Sequence, residues 1–294
     1  MEAINSSEWS GSLFIGNRRV IFVGQAGTSK DQAVHAIKIC IAFDGQFDLM
    51  VNMEKSAKPY TAVVINADVR HTVICNGAKI FLLYLIPETE EAIMVKHEYL
   101  NRGNNSVSAI AKDSLDELLG TRQLFENYWK WNCENATSMC EGVIRSLGTL
   151  HNKELLPATS LNKNLGADVE RTIEYIFSEF DAVSNGRRTY SEERFTPAVI
   201  AIEAGTTEKI DSRFNKQVGI SIEHYHNDIQ LLFALKLYAK SEKKRGDLKK
   251  IAGIIGIGDS TNFSHRVHSR LGISFRDLHG GSLFLECKDL DGNE

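Results

Sequence analysis

The sequence predicts an α+β protein in two parts, a β-rich N-terminal half and an almost wholly helical C-terminal half. Three observations carry that expectation. Short apolar runs separated by turn residues fill the chain from Leu13 to Ile86. From about Ser114 the apolar residues recur at helical spacing instead. And one pattern is written twice near the C-terminus. It runs Ile200-Ala201 to Gly205, Ile210, Phe214 and Gly219-Ile220-Ser221, then again Ile251-Ala252 to Gly256, Phe263, Val267 and Gly272-Ile273-Ser274. The alanines lie 51 positions apart and the closing glycines 53.

The first half reads as a series of strands. Leu13-Phe14-Ile15 and Val20 to Val23 flank Gly16-Asn17. Ile37 to Phe43 alternates loosely and ends at Asp44-Gly45, a turn signal. Phe47 to Val51, Ala62 to Ile65, Thr72 to Cys75 and Lys79 to Ile86 follow. Asn76-Gly77 between the last two is the strongest hairpin signal in the chain, because both positions tolerate the positive φ of a type I′ turn. About seven short strands with frequent turns predict a small barrel or jelly roll.

Two helices should trail the barrel. Leu115, Leu118, Leu119, Leu124, Phe125, Tyr128, Trp129 and Trp131 mark the first region, split near Gly120, and Val143, Ile144 and Leu147 continue the period. The aromatic cluster suits packing on the barrel slightly better than a dimer face. Asn152 to Gly166, with Pro157 and a Ser/Asn/Lys run, reads as a linker. The expected division is residues 1–150, a linker at 151–167 and a helical domain at 168–285. Val169, Ile173, Ile176, Phe177 and Phe180 define its first helix, with Asp168 as N-cap.

The repeated pattern predicts two helix-turn-helix units. Ala201 and Ala252 are small where two helices must cross. Gly205 and Gly256 permit a turn at positive φ, and Gly219 and Gly272 stop each second helix. Ile210 and Phe214, then Phe263 and Val267, bind the second helices to the core. Between the copies, Tyr225 to Lys240 reads as one rigid helix through Ile229, Leu232, Phe233, Leu235 and Leu237. A rigid link matters, since two recognition helices meet successive major grooves only at a separation of about 34 Å.

Composition sets bounds. Hydrophobic content is 43% and charged content 24% of 294 residues, ordinary for a water-soluble globular chain. No apolar run approaches the roughly 18 residues of a membrane span, and Met1 to Ser10 lacks a basic leader, so the cytoplasm is expected. The net charge is −4, yet Leu235 to Arg276 carries ten basic residues against only Glu242, Asp247 and Asp259. Such a stretch fits phosphate contact or a solvated helix face. Five scattered cysteines (Cys40, Cys75, Cys133, Cys140, Cys287) show no metal-finger spacing and are expected to be small, unpaired side chains in a reducing compartment.

The C-terminal arrangement resembles the DNA-binding domain of the AraC family of transcription regulators, over about Asp168 to Leu278. Tyr225 after Gly219-Ile220-Ser221, Ala234, and Gly256-Ile257-Gly258-Asp259-Ser260 before Phe263-Ser264 carry the resemblance. The resemblance implies DNA-facing positions at Thr207, Glu208, Asp211, Ser212, Arg213 and Lys216 in copy one. In copy two it implies Thr261, Asn262, Ser264, His265, Arg266, His268 and Arg270. Ser212 and His265 stand where the family usually has arginine, and Arg213 and Arg266 follow one position later. An arginine of the family's connecting helix is replaced by Ile229 or Gln230, and Phe275 replaces a proline. Glu208 and Asp211 would repel phosphates, so copy two is expected to carry more of the affinity.

The β-rich half resembles that family's cupin-like sensor domain. Phe14-Ile15-Gly16, His35 to Ala42 with Asp44-Gly45, Ile65 to His71, and Leu82 to Leu85 with Pro87-Glu88 carry this weaker likeness. It implies a small-molecule effector in a cupin-like β-barrel, with His35, Lys38, Arg70, His71 and Tyr84 as the polar residues to contact it. It also implies a promoter and RNA polymerase as partners and homodimerisation through the trailing helices. No metal or cofactor is expected: Ile37 stands where a metal cupin has its second histidine, and no glutamate follows before Glu54. No phosphate loop, dinucleotide fingerprint or nucleophile elbow is present. The leading expectation is a non-enzymatic, ligand-responsive, sequence-specific regulator of bacterial type. A cupin-type small-molecule enzyme and a module that has lost DNA contact stay open as alternatives.

Overall fold

The computed structural model describes residues 9–54, 56–101, 104–111, 130–148, 164–207, 209–242, 246–273, 275, 283–287 and 290. Contacts divide the chain into residues 1–160 with 267–294, and residues 161–266.

The first unit holds the strands. β1 (Ser10–Ile15), β2 (Arg19–Gln25), β3 (Ile37–Ala42), β6 (Ala62–Ile65), β8 (Lys79–Leu85), β9 (Val107–Ala109) and β10 (Leu283–Glu286) form one sheet in the order β10-β1-β2-β8-β3-β6-β9. β4 (Phe47–Val51), β5 (Lys58–Tyr60) and β7 (His71–Ile74) form a second, ordered β5-β4-β7. Every pairing is antiparallel except β10, which runs parallel to β1.

The loose alternation of β3 has a plain cause: both of its faces are buried. Ile37, Ile39 and Ile41 join Phe14, Ile21, Val64, Phe81 and Leu83 in a core that α1 (Glu90–Tyr99) and α2 (Cys133–Gly148) cover with Ala92, Val95, Ala136, Val143 and Ile144. The residues between them point to the opposite face. Thr89 caps α1, its hydroxyl accepting from the Ala92 amide at 3.4 Å. Trp131 is buried with its ring 6.4 Å from that of Phe14, a packing role on the sheet.

All seven expected strands form. The Asn76-Gly77 turn takes the expected backbone, φ 48° and 85°, and Ala78 N donates to Cys75 O at 2.8 Å. It does not close a hairpin, however. β7 and β8 lie in different sheets, so the turn passes the chain between them, as Asp44-Gly45 does between β3 and β4. β5, β9 and β10 were not expected. β5 is three residues with Pro59 at its centre, tolerable because β5 is an edge strand. β10 lies beyond the helical region and gains its strand partners only by returning to β1.

The cysteine expectation is corrected. Cys133 and Cys287, 154 positions apart, are joined as a disulfide with their Cα atoms 5.3 Å apart. β10 carries Cys287 to α2, a proximity no spacing rule reveals. Cys40, Cys75 and Cys140 are buried thiols.

The second unit is helical: α3 (Ala167–Ser184), α4 (Pro197–Glu203), α5 (Ile210–Val218), α6 (Ile222–Lys240), α7 (Asp247–Ile255) and the first part of α8 (Ser260–Leu271), inside which the division falls. Phe177 and Phe180 of α3 meet Phe233 of α6 at 6.2 and 5.8 Å between ring centres. Gly166, not Asp168, occupies the N-cap of α3, and its amide is satisfied by Gln217 Oε1 at 2.8 Å. Asp168 lies instead in the first turn, where the helix dipole also favours a carboxylate. The expected helices over Leu115 to Trp129, the linker over 151–163, Glu208 and Ser274 lie outside the described residues.

Candidate functional site

Each unit contains one group of the expected site residues, and each is built from its own elements.

In the β unit, Lys38 is the first β3 residue on the face away from α1 and α2. Its side chain is only 1% exposed, which demands compensation for a buried cation. Tyr84 on the adjacent β8 presents its ring 5.1 Å from Nζ. His71 on β7 arrives from the small sheet with Nε2 3.2 Å from Nζ. Its Nδ1 lies 2.8 Å from the Val69 carbonyl, so Nδ1 carries the proton and donates there, leaving Nε2 to accept from the ammonium. Burial, and then the charge of Lys38, push the His71 pKa down to about 3. Burial also raises Tyr84, against the pull of Lys38. Cys40 and Cys75 nearby are pushed up by burial to about 11 and about 12, so both stay thiols.

Gln32 adjoins His71 and had no sequence signal. Its backbone exchanges hydrogen bonds of 2.9 and 3.0 Å with that of His71. Gln32 is buried, its amide lies against Gly272, and neither end of the amide has a hydrogen-bond partner among the described residues. The structure thus brings together Lys38, His71 and Tyr84, one cation and two neutral polar groups.

His35 and Arg70 lie apart from this group. His35 is buried between two carboxylates, Nδ1 2.7 Å from Asp68 and Nε2 3.0 Å from Glu88. Burial opposes its charge, but Glu88 and Asp68 outweigh it and raise the pKa to about 10. Both ring nitrogens are spent on that network. Arg70 is exposed and pairs with Asp31.

In the helical unit both helix-turn-helix copies form, α4-α5 and α7-α8. Gly205, Gly219 and Gly256 take φ of 59°, 99° and 79°, as the turns and stops require. Each first helix ends on a side-chain donor from a supporting helix. Arg171 of α3 donates to Ala204 O at 2.9 Å and Gly205 O at 3.1 Å, and Gln230 of α6 donates to Ile255 O at 2.9 Å. Those carbonyls are the orphan acceptors of a helix C-terminus. Gln230 also accepts from Arg266, so it ties α7 to α8 through both ends of its amide. Gln230 is therefore a buried knot in copy two.

The expected DNA-facing residues divide by orientation. Thr207, Ser212, Arg213 and Lys216 are exposed in copy one. Arg213 is also held by Asp168 and Thr207. Asp211 is half-buried, and its Oδ1 accepts from the Ile222 amide at 3.3 Å, at the N-terminus of α6. One carboxylate expected to face phosphates thus caps a helix instead. In copy two Thr261, Asn262 and His265 are exposed, while Ser264, Arg266, His268 and Arg270 are half-buried. Arg270 Nη1 donates to the Ala33 carbonyl at 3.0 Å. Lys209, Lys249 and Lys250 are exposed cations beside these helices that the resemblance did not mark.

Solved structures similar to this chain include two of ToxT and one of CuxR. An apo ToxT variant from Vibrio cholerae strain SCE256 matches with TM-score 0.55 at 13% identity, over 90% of this chain and 97% of that chain. ToxT from Vibrio cholerae O395 matches with TM-score 0.50 at 13% identity, over 93% and 96%. The AraC-like transcriptional activator CuxR matches with TM-score 0.35 at 14% identity, over 74% and 77%. No protein-family model and no curated protein sequence matches the chain. The chain has the fold of ToxT, a β-rich N-terminal part followed by a helical C-terminal part.

Proposed function

We propose that this chain is a cytoplasmic, effector-controlled transcription regulator of the AraC type. A sensor domain at 1–150 and a linker at 151–167 precede a DNA-binding domain at 168–285. The carrying observation is the pair of helix-turn-helix units built to one plan, each with its first helix ended by a donor from a supporting helix. Two such units on a 19-residue connecting helix suit successive major grooves of one duplex. Thr207, Ser212, Arg213 and Lys216 would face the first groove, and Thr261, Asn262 and His265 the second. Lys209, Lys249 and Lys250 are placed to contact phosphates. The cytoplasmic setting accords with the absence, among the described residues, of a helix long and apolar enough to cross a membrane.

The effector would be a small molecule with an anionic group. Lys38 is a buried cation whose partners in the group are neutral, and a bound anion removes the cost of its burial. The effector acts by binding the DNA-competent and DNA-incompetent states with different affinity. RNA polymerase and a second copy of the chain are the further partners of a promoter-bound regulator.

The test is a salt-titrated binding assay on the DNA upstream of the chain's own coding sequence. Binding whose logarithm falls with the logarithm of salt, with the slope shrinking by about 1 for each of Lys209, Lys249 and Lys250 changed to alanine, supports the proposal. Absence of binding at low salt refutes it.

A further inference from the structure

We propose that Cys133 and Cys287 form a thiol-exchange site whose redox state sets how firmly the C-terminal segment is held on the β unit. The described part of the segment is held non-covalently through β1 and the core, where Phe284, Cys287 and Leu290 are buried. β10 is four residues long and lies at the edge of the large sheet against β1. Beyond it, Cys287 N donates to Ile15 O at 3.0 Å, and Arg19 Nη1 donates to Leu290 O at 2.6 Å. A short edge strand opens locally more readily than a central one. The disulfide converts that non-covalent hold into a covalent one at the first residue of α2.

Position separates this pair from the other sulfurs. Cys40, Cys75 and Cys140 are buried thiols, and the first two are kept protonated by burial. Cys133 is half-buried, at the surface end of α2, while Cys287 is covered. An attacking thiolate therefore reaches the Cys133 sulfur. It bonds to Cys133 Sγ as the Cys133–Cys287 bond breaks, and Cys287 leaves as a thiolate that takes a proton. A second thiolate attacks the added sulfur and releases Cys133. Two small thiols such as glutathione become one small disulfide, and the protein disulfide becomes two thiols. The reverse exchange uses the oxidised small disulfide. In the reducing compartment proposed above, on which this inference rests, a disulfide is transient and redox-sensing in character and not permanent.

The experiment equilibrates the full chain in glutathione buffers from fully reduced to fully oxidised. Thiol labelling with mass spectrometry follows the pair, and amide hydrogen exchange follows residues 283–287. Reduction should speed exchange there by at least about tenfold while β2 and β8 stay protected. Cys133→Ser and Cys287→Ser should both resemble the reduced chain in every buffer. A pair that never forms across the series, or equal exchange in both states of the unmodified chain, overturns the proposal. Failure of both forms to bind any duplex counts against the proposed function, while the exchange readout still decides the thiol site.

Discussion

Replacing Lys38 with methionine should stabilise the ligand-free β unit while removing its response to an effector. The buried ammonium carries a desolvation penalty of several kcal/mol. The Tyr84 ring at 5.1 Å returns up to about 2 kcal/mol, and the charge-assisted hydrogen bond to His71 about 2 kcal/mol more. Methionine has nearly the same length and removes the penalty with both compensations. It also leaves His71 Nε2 without a donor, a loss of about 1 kcal/mol. The net expectation is a gain of about 1–2 kcal/mol, or about 2–8 °C in Tm for a unit of this size. Scanning calorimetry at pH 7 measures it. A second reading comes from the His71 ring: its pKa, held at about 3 by burial first and Lys38 second, should rise because one of the two causes is gone. Lys38→Met that unfolds at a lower temperature than the parent would refute the claim that the ammonium is held at a net cost.

Three further expectations follow from the same geometry. The equivalent turn glycines should differ in tolerance. Gly256→Ala places a Cβ 2.0 Å from the Tyr190 ring at φ 79° and should cost about 2–5 kcal/mol, whereas Gly205→Ala meets nothing within 4 Å and should cost about 1 kcal/mol, both measured by urea unfolding. His226 is lowered to about 4 by burial first and Arg266 second. Its neutral form belongs to the fold, so the stability it contributes is full above pH 6.5 and is lost as pH falls towards 4, by up to about 3 kcal/mol. Unfolding of His226→Phe should lack that acid slope, and an unchanged slope would assign it elsewhere. Glu91→Gln should cost the β unit about 3–5 kcal/mol, because buried Arg19 loses its charged partner, and a loss below about 1 kcal/mol by chemical denaturation would contradict the pairing.

His35 shows how far a residue type can mislead. A histidine before a strand of a barrel reads as a contact to a ligand, and its partners Asp68 and Glu88 stand 33 and 53 positions away. Only the fold sets both carboxylates against one ring. Lys38, Tyr84 and His71 were legible as polar residues in apolar strands, but the contacts of Lys38 with the other two were not. Gln32 was not legible, since it lies between strands and meets His71 only through a two-residue bridge. Asp211 was marked as facing phosphates, because sequence places it on a recognition helix but does not show the Ile222 amide that its carboxylate reaches.

The sequence by itself determined what depends on neighbours along the chain. The two helix-turn-helix copies, the positive-φ glycines and the seven expected strands all follow from local periodicity and backbone sterics, and all are present. Tertiary structure alone decided what depends on residues brought from a distance. The Asn76-Gly77 turn joins two sheets because pairing partners are chosen by burial, not by the turn. β10 returns past the helical region to β1 because an edge strand offers open hydrogen bonds to whatever reaches it. That return sets Cys287 beside Cys133, and so turns two of five unremarkable cysteines into a bond.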